Sequence, residues 1–65
     1  MERQTLKIRR IENDLTQQEL ADRVGLTNQT ISDYESGRSN PSYKAMEKIA
    51  AELNSTVDEL FFTRS

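Results

Sequence analysis

The segment from residue 16 to residue 37, TQQELADRVGLTNQTISDYESG, constrains this chain more than any other stretch, because it fixes where two helices begin and end. Thr16 can accept from the backbone amides of a first turn while Glu19, three residues on, reaches back to the Thr16 amide, so the pair forms a capping box. Leu20, Ala21 and Val24 then follow at helical spacing as one apolar stripe, with Gln17, Gln18, Asp22 and Arg23 turned the other way. Gly25 comes directly after the stripe, where helices close on a residue at positive φ that glycine reaches without steric cost. After Leu26, Thr27 supplies a second N-cap, Ile31 and Tyr34 give the next helix an apolar side, and Gly37 stops it. The segment therefore predicts two short amphipathic helices joined by a tight turn.

At 65 residues the chain supports one domain, residues 1–65, with a small core near the lower limit at which a fold stands without disulfides or metal. It contains neither cysteine nor histidine, which excludes a disulfide scaffold and any zinc site built from those residues. No metal and no cofactor is expected. No apolar run approaches the roughly 18 residues needed to cross a bilayer, and the N-terminus lacks the apolar region of a signal peptide. A cytoplasmic protein is expected. The net charge of −2 argues against a generally basic nucleic-acid binder. Its distribution softens that argument: residues 1 to 44 hold seven bases and seven acids, whereas residues 45 to 65 hold two bases and four acids. Phosphate neutralisation supplies most non-specific binding, so a chain with this balance would lean on base contacts and dimerisation.

The remaining sequence predicts three more helices. Residues 3 to 13 read as an opening helix, with Leu6, Ile8, Ile11 and then Leu15 offered to the core and Arg9, Glu12 and Asn13 outside. Residues 36 to 42, SGRSNPS, are the only Gly, Ser, Asn and Pro cluster and make the main surface loop. Tyr43, Met46, Ile49, Ala50 and Leu53 then recur at three- and four-residue spacing and bury one face of a helix that Asn54 can end. Thr56 and Glu59 repeat the capping-box spacing and open a last short helix, 56–62, with Val57, Leu60, Phe61 and Phe62. The expected fold is all-α, a five-helix bundle, with no strand pattern and no internal repeat.

The outer side of the second helix of the 16–37 unit carries Asn28, Gln29, Ser32 and Asp33, short polar groups suited to the hydrogen-bonding edges of bases. Residue types alone favour an ordinary solvated helix face. The surrounding pattern reverses that preference. The run LTQQELADRVGLTNQTISDYESG, then GRSNPS, AMEKIAAELN and TVDELFF, resembles the small standalone XRE-type regulators, the family of the Cro protein and phage-repressor DNA-binding domains. The resemblance extends nearly end to end, with Leu20, Ala21, Val24, Gly25, Leu26, Ile31 and Tyr34 in register.

The resemblance implies a five-helix bundle of the lambda-repressor-like type whose second and third helices read DNA. It implies a transcriptional regulator, a repressor before an activator, that binds a near-palindromic operator as a homodimer in a prokaryotic cell or its phage. Carried over residue by residue, Asn28 and Gln29 head the recognition helix and read bases in the major groove, with Ser32 and Asp33 weaker candidates one turn on. Gln17, Thr27, Thr30, Arg38, Ser39, Asn40 and Lys44 become candidates for phosphate contact, which sets register rather than sequence preference. Arg10 and Glu35 match a structural ion pair between the first helix and the end of the recognition helix. Leu60, Phe61 and Phe62 are candidates for a dimer contact, with Leu60 also a candidate for the core. Asp33 departs from the neutral or basic residue that many relatives carry there; it either accepts from cytosine N4 or points away.

A second function class stays open, a protein-interaction module or antitoxin-like partner that keeps the fold and uses the acidic, aromatic C-terminal part. Catalysis is not expected, since no His, Cys or phosphate-cradling glycine loop is present to assemble an active site.

Overall fold

A computed structural model describes residues 4–62. Its helices are α1 (Gln4–Glu12), α2 (Gln17–Val24), α3 (Asn28–Ser36) and α4 (Tyr43–Glu52), followed by a one-turn π-helical segment, α5 (Asp58–Phe62). Arg3, at the start of the expected first helix, lies outside the described residues. All five elements are helical, and α2 packs against both α3 and α4, while α1 packs against α3 and α5.

The ends of α2 and α3 follow from local chemistry. The Thr16 hydroxyl accepts from the Glu19 amide at 3.0 Å and the Glu19 carboxylate accepts from the Thr16 amide at 2.9 Å, which closes the box. Gly25 adopts φ 75° and lets the Leu26 amide reach back to the Ala21 carbonyl at 2.8 Å. No atom lies within 4 Å of the place where a Cβ would stand on Gly25, so its requirement is conformational rather than spatial. Thr27 caps α3 through the Thr30 amide, and Gly37 closes it at φ 83° while the Arg38 amide bonds the Asp33 carbonyl at 2.9 Å. Ser42 caps α4, and Asn54 at φ 53° ends it.

One apolar cluster joins all five elements: Leu6, Leu15, Leu20, Ala21, Val24, Ile31, Tyr34, Ile49, Ala50, Leu53 and Leu60, with Leu26, Val57 and Phe61 packed on its edge. Three sequence expectations are corrected. Ile8 and Ile11 are 51% and 54% exposed instead of buried. Leu6 and Arg10, four residues apart, define the inward side of α1, and at about 100° per residue Ile8 and Ile11 fall about 140–160° away from Leu6. Tyr43, expected on the buried face of α4, is exposed because burial deepens along that helix, from Tyr43 through half-buried Met46 to Ile49 and Leu53. Of the capping box expected to open the last helix, only half is formed. Thr56 accepts from the Glu59 amide at 3.1 Å, but the Glu59 carboxylate turns to Ser55 and Arg9.

Candidate nucleic-acid interface

The start of α3 stands at the surface of the two-helix unit. Asn28 and Gln29 are both exposed, and no acidic residue stands in the first turn of α3. The positive end of the helix therefore faces water without an intrahelical counter-charge, a favourable approach for a polyanion. Behind this turn the chain is fixed by Gly25 and the Thr27 cap, so the two amide side chains are carried on a constrained backbone rather than a loose loop.

Gln29 is not solitary. Its Nε2 donates to Asp33 Oδ1 at 2.9 Å, one turn along α3. Asp33 is half-buried, and its carbonyl also accepts from the Arg38 amide and, at 3.4 Å, from the Ser39 amide. The loop that carries Arg38, Ser39 and Asn40 is thereby tied to the end of α3, with all three residues exposed. Lys44 is exposed on the first turn of α4.

Thr27 and Thr30 have inward uses. The Thr27 hydroxyl accepts from the Thr30 amide at 3.1 Å and lies 2.9 Å from the Thr30 hydroxyl. Gln17, at the start of α2, is half-buried and donates from Nε2 to Glu35 Oε1 at 3.1 Å, which commits one of its two amide hydrogens. Ser32 is also half-buried and lines a shallow hollow between α1, the start of α2 and α3, together with Ile8, Ile11, Gln17, Glu35 and Ser36.

Beneath that hollow lies a polar connection between α1 and α3. Arg10 and Glu35 are 8% and 7% exposed. Arg10 Nε donates to Glu35 Oε2 at 2.6 Å and Nη2 to Oε1 at 3.2 Å, a two-point pairing that suits the guanidinium fork. Nη1 donates to the Leu15 carbonyl at 2.7 Å, so each guanidinium nitrogen has an acceptor. Among the described residues no buried side-chain nitrogen or oxygen lacks a hydrogen-bond partner.

The C-terminal candidates separate. Leu60 is 3% exposed and belongs to the core, which removes it from any surface contact. Phe61 is half-buried against the core, and Phe62 is 59% exposed. Adjacent residues on so short a helix point apart, so burying Leu60 and part of Phe61 leaves Phe62 outside. The apolar character of Ile8 and Ile11 hides their surface position, and the sequence signal for it is their place opposite the Leu6 and Arg10 side of α1. The Gln29 and Asp33 pair was signalled by its four-residue spacing, at which Gln and Asp meet on a helix.

A capped α2, a left-handed turn at glycine and an α3 with an exposed polar first turn together define a helix-turn-helix domain. The helix-turn-helix family matches residues 6–60, and the chain belongs to that family, in its XRE-type form, whose members are DNA-binding transcription regulators. An uncharacterized HTH-type transcriptional regulator of Archaeoglobus fulgidus is 41% identical over 59 residues, covering 91% of this chain and 83% of its own length. Another, from Methanothermobacter thermautotrophicus, is 47% identical over 51 residues, with 78% and 74% covered. A third, from Methanocaldococcus jannaschii, is 38% identical over 56 residues, with 86% and 85% covered. No helix among the described residues is long and apolar enough to cross a membrane.

Proposed function

We propose that the protein is a cytoplasmic repressor that binds a near-palindromic operator as a homodimer, with α3 of each subunit in the major groove. The observation that carries this reading is the exposed Asn28 and Gln29 pair at the start of α3, whose first turn carries no acidic residue. Amide side chains can pair with adenine N6 and N7, and base edges in the major groove distinguish all four base pairs. Gln17, Thr27, Thr30, Arg38, Ser39, Asn40 and Lys44 are assigned to the phosphates that set register. The Thr30 amide is committed to the Thr27 hydroxyl and the two hydroxyls lie 2.9 Å apart, so at this end of α3 the backbone amides of Asn28 and Gln29 are the more natural donors to phosphate. Repression is the sign that occupancy of an operator produces by itself, and no catalytic step enters this reading.

Dimerisation is assigned to α5, with Phe62 as its exposed apolar group and Phe61 beside it. Half-sites one helical turn apart, about 34–36 Å, follow from placing two copies of α3 in successive major grooves on one side of the duplex. The test is selection of bound duplexes from a randomised pool at near-physiological salt. Enrichment of an inverted repeat is expected. Binding without any enriched sequence would remove the operator reading.

A second reading, a partner-binding module of antitoxin type, is favoured by the exposed Ile8 and Ile11 on α1. A tight complex with a protein partner and no enriched DNA sequence would put it first, whereas linear loss of log affinity with log salt on the selected duplex supports the operator reading.

A further inference from the structure

Asp33 is an anionic residue on the helix assigned to polyanionic DNA. Among the described residues no guanidinium or ammonium group forms an ion pair with its carboxylate. What it holds instead is the amide of Gln29, at 2.9 Å. Because a carboxylate only accepts, the contacting atom of Gln29 must be its nitrogen, and this fixes which way the amide faces.

We infer that Asp33 determines base preference by holding the Gln29 amide in one orientation, so that the pair selects adenine opposite Gln29 and rejects guanine beside Asp33. The inference rests on the operator reading above and adds the identity of the bases. An unrestrained glutamine amide can turn about its last bond and offers two N–H donors and one acceptor. With one N–H committed to Asp33, Gln29 retains one donor and one acceptor for the groove. That remainder matches adenine, which presents N7 as acceptor and N6 as donor. It does not match guanine, whose N7 and O6 both require donors.

The carboxylate extends the same discrimination. Only Oδ1 takes the Gln29 hydrogen, and Oδ2 adds an acceptor one turn along the helix. An acceptor there is satisfied by the amino group of cytosine or adenine and repelled by guanine O6 and N7 or thymine O4. Asp33 acts at Gln29 as a positioning residue and at the neighbouring base pair as a reader. The cost of placing an anion near phosphate is offset only where the sequence beneath it supplies amino groups, which gives the carboxylate a role as a filter against wrong sites.

The test compares sequences selected from a randomised duplex pool by the wild-type chain, by Asp33→Ala and by Asp33→Asn, with folding of each checked by circular dichroism. The wild type should enrich an inverted repeat with adenine at one position of each half-site and little guanine at a neighbouring one. Asp33→Ala frees the amide and should reduce the adenine over guanine preference by about tenfold in direct competition between duplexes differing at that base pair. Asp33→Asn can donate to guanine and should raise guanine at the neighbouring position while keeping side-chain size. A helix-stabilising contact without a reading role would change affinity for all duplexes alike. Unchanged base preferences in both folded variants, with an operator enriched by the wild type, would overturn this inference alone. No enriched sequence for the wild type would overturn the operator reading and this inference with it.

Discussion

Arg9 and Arg10 are adjacent in α1, yet one joins α1 to α5 at the exposed surface and the other joins α1 to α3 in the interior. Arg9 Nη2 meets Glu59 Oε2 at 3.1 Å with both side chains about half exposed, and Nη1 lies 3.5 Å from Glu12. Arg10 meets Glu35 at 2.6 Å with side-chain exposures of 9% and 6%. The chemistry is the same and the surroundings are not. In water the pairing competes with solvation and costs side-chain freedom, so its net contribution is small. In the interior both charges have already lost their hydration, and each depends on the other to remain there. The inner contact therefore fixes how α1 meets α3, and the outer one decorates a seam held by apolar packing.

The largest expected effect tests that dependence. Glu35→Ala should destabilise the fold by about 3–5 kcal/mol, because Arg10 would be left buried without its counter-charge and Gln17 without its acceptor. Denaturant unfolding measures it, and operator affinity should fall with the fold. Replacing both partners together, Arg10→Met with Glu35→Leu, should cost much less. If the single and double variants lose stability equally, the contact is not acting as a dependent pair.

Next in size is the claim that apolar burial, not Arg9, holds α5 in place. Leu60 is the buried residue of α5, and Leu60→Ala should cost about 2–4 kcal/mol through lost transfer energy and the cavity left behind. Phe62→Ala should leave the subunit's own stability nearly unchanged, since the ring is largely exposed. A dimer that uses Phe62 would show the difference in sedimentation rather than in unfolding at low concentration. Loss of dimer with Phe62→Ala, and retained stability of the subunit, is the expected pattern.

The two seams also explain what the sequence made legible. Thr16, Glu19, Gly25, Thr27 and Gly37 act on backbone within a few residues of themselves, so the limits of α2 and α3 can be read from spacing alone. The inward side of α1 cannot. It is chosen by Glu35, 25 residues away, which draws Arg10 inside and leaves Ile8 and Ile11 out despite their apolar character. Tyr43 escapes the sequence pattern for a related reason: its helical phase suits the core, but the first turn of α4 extends beyond it. At the candidate interface the residue types and the helix that carries them are legible. The hydrogen bonds that tie Gln29 to Asp33 and Gln17 to Glu35 are less so, because Gln29 and Asp33 have other rotamers available and Gln17 finds its acceptor on another helix.

The outer seam gives a smaller effect. Arg9→Ala and Glu59→Ala should each cost under about 1 kcal/mol, and the coupling between them in a double-mutant cycle should shrink further in high salt. A coupling that is large and insensitive to salt would mean that the seam is drier than its exposure indicates, and the contrast with Arg10 would fail.

The smallest effect concerns a carboxylate that is neither buried nor joined to another helix by an ion pair. The Thr16 amide, and after it the Thr16 hydroxyl, bonds the Glu19 carboxylate and holds its pKa below the ordinary 4.5, with desolvation opposing and Arg23 adding a lesser pull. The folded pKa is depressed, so the stability this group contributes is present above the ordinary carboxylate range. It is lost as pH falls through the folded value. Glu19→Gln keeps an acceptor at the position the capping box needs and removes only the charge. Urea midpoints of wild type and variant should therefore differ slightly at neutral pH and converge in acid well below the carboxylate range. A difference that persists unchanged in acid would show that the box depends on the shape of the side chain at residue 19 and not on its charge. Exposure would then have failed to predict how that charge behaves, as it predicts the contrast between Arg9 and Arg10.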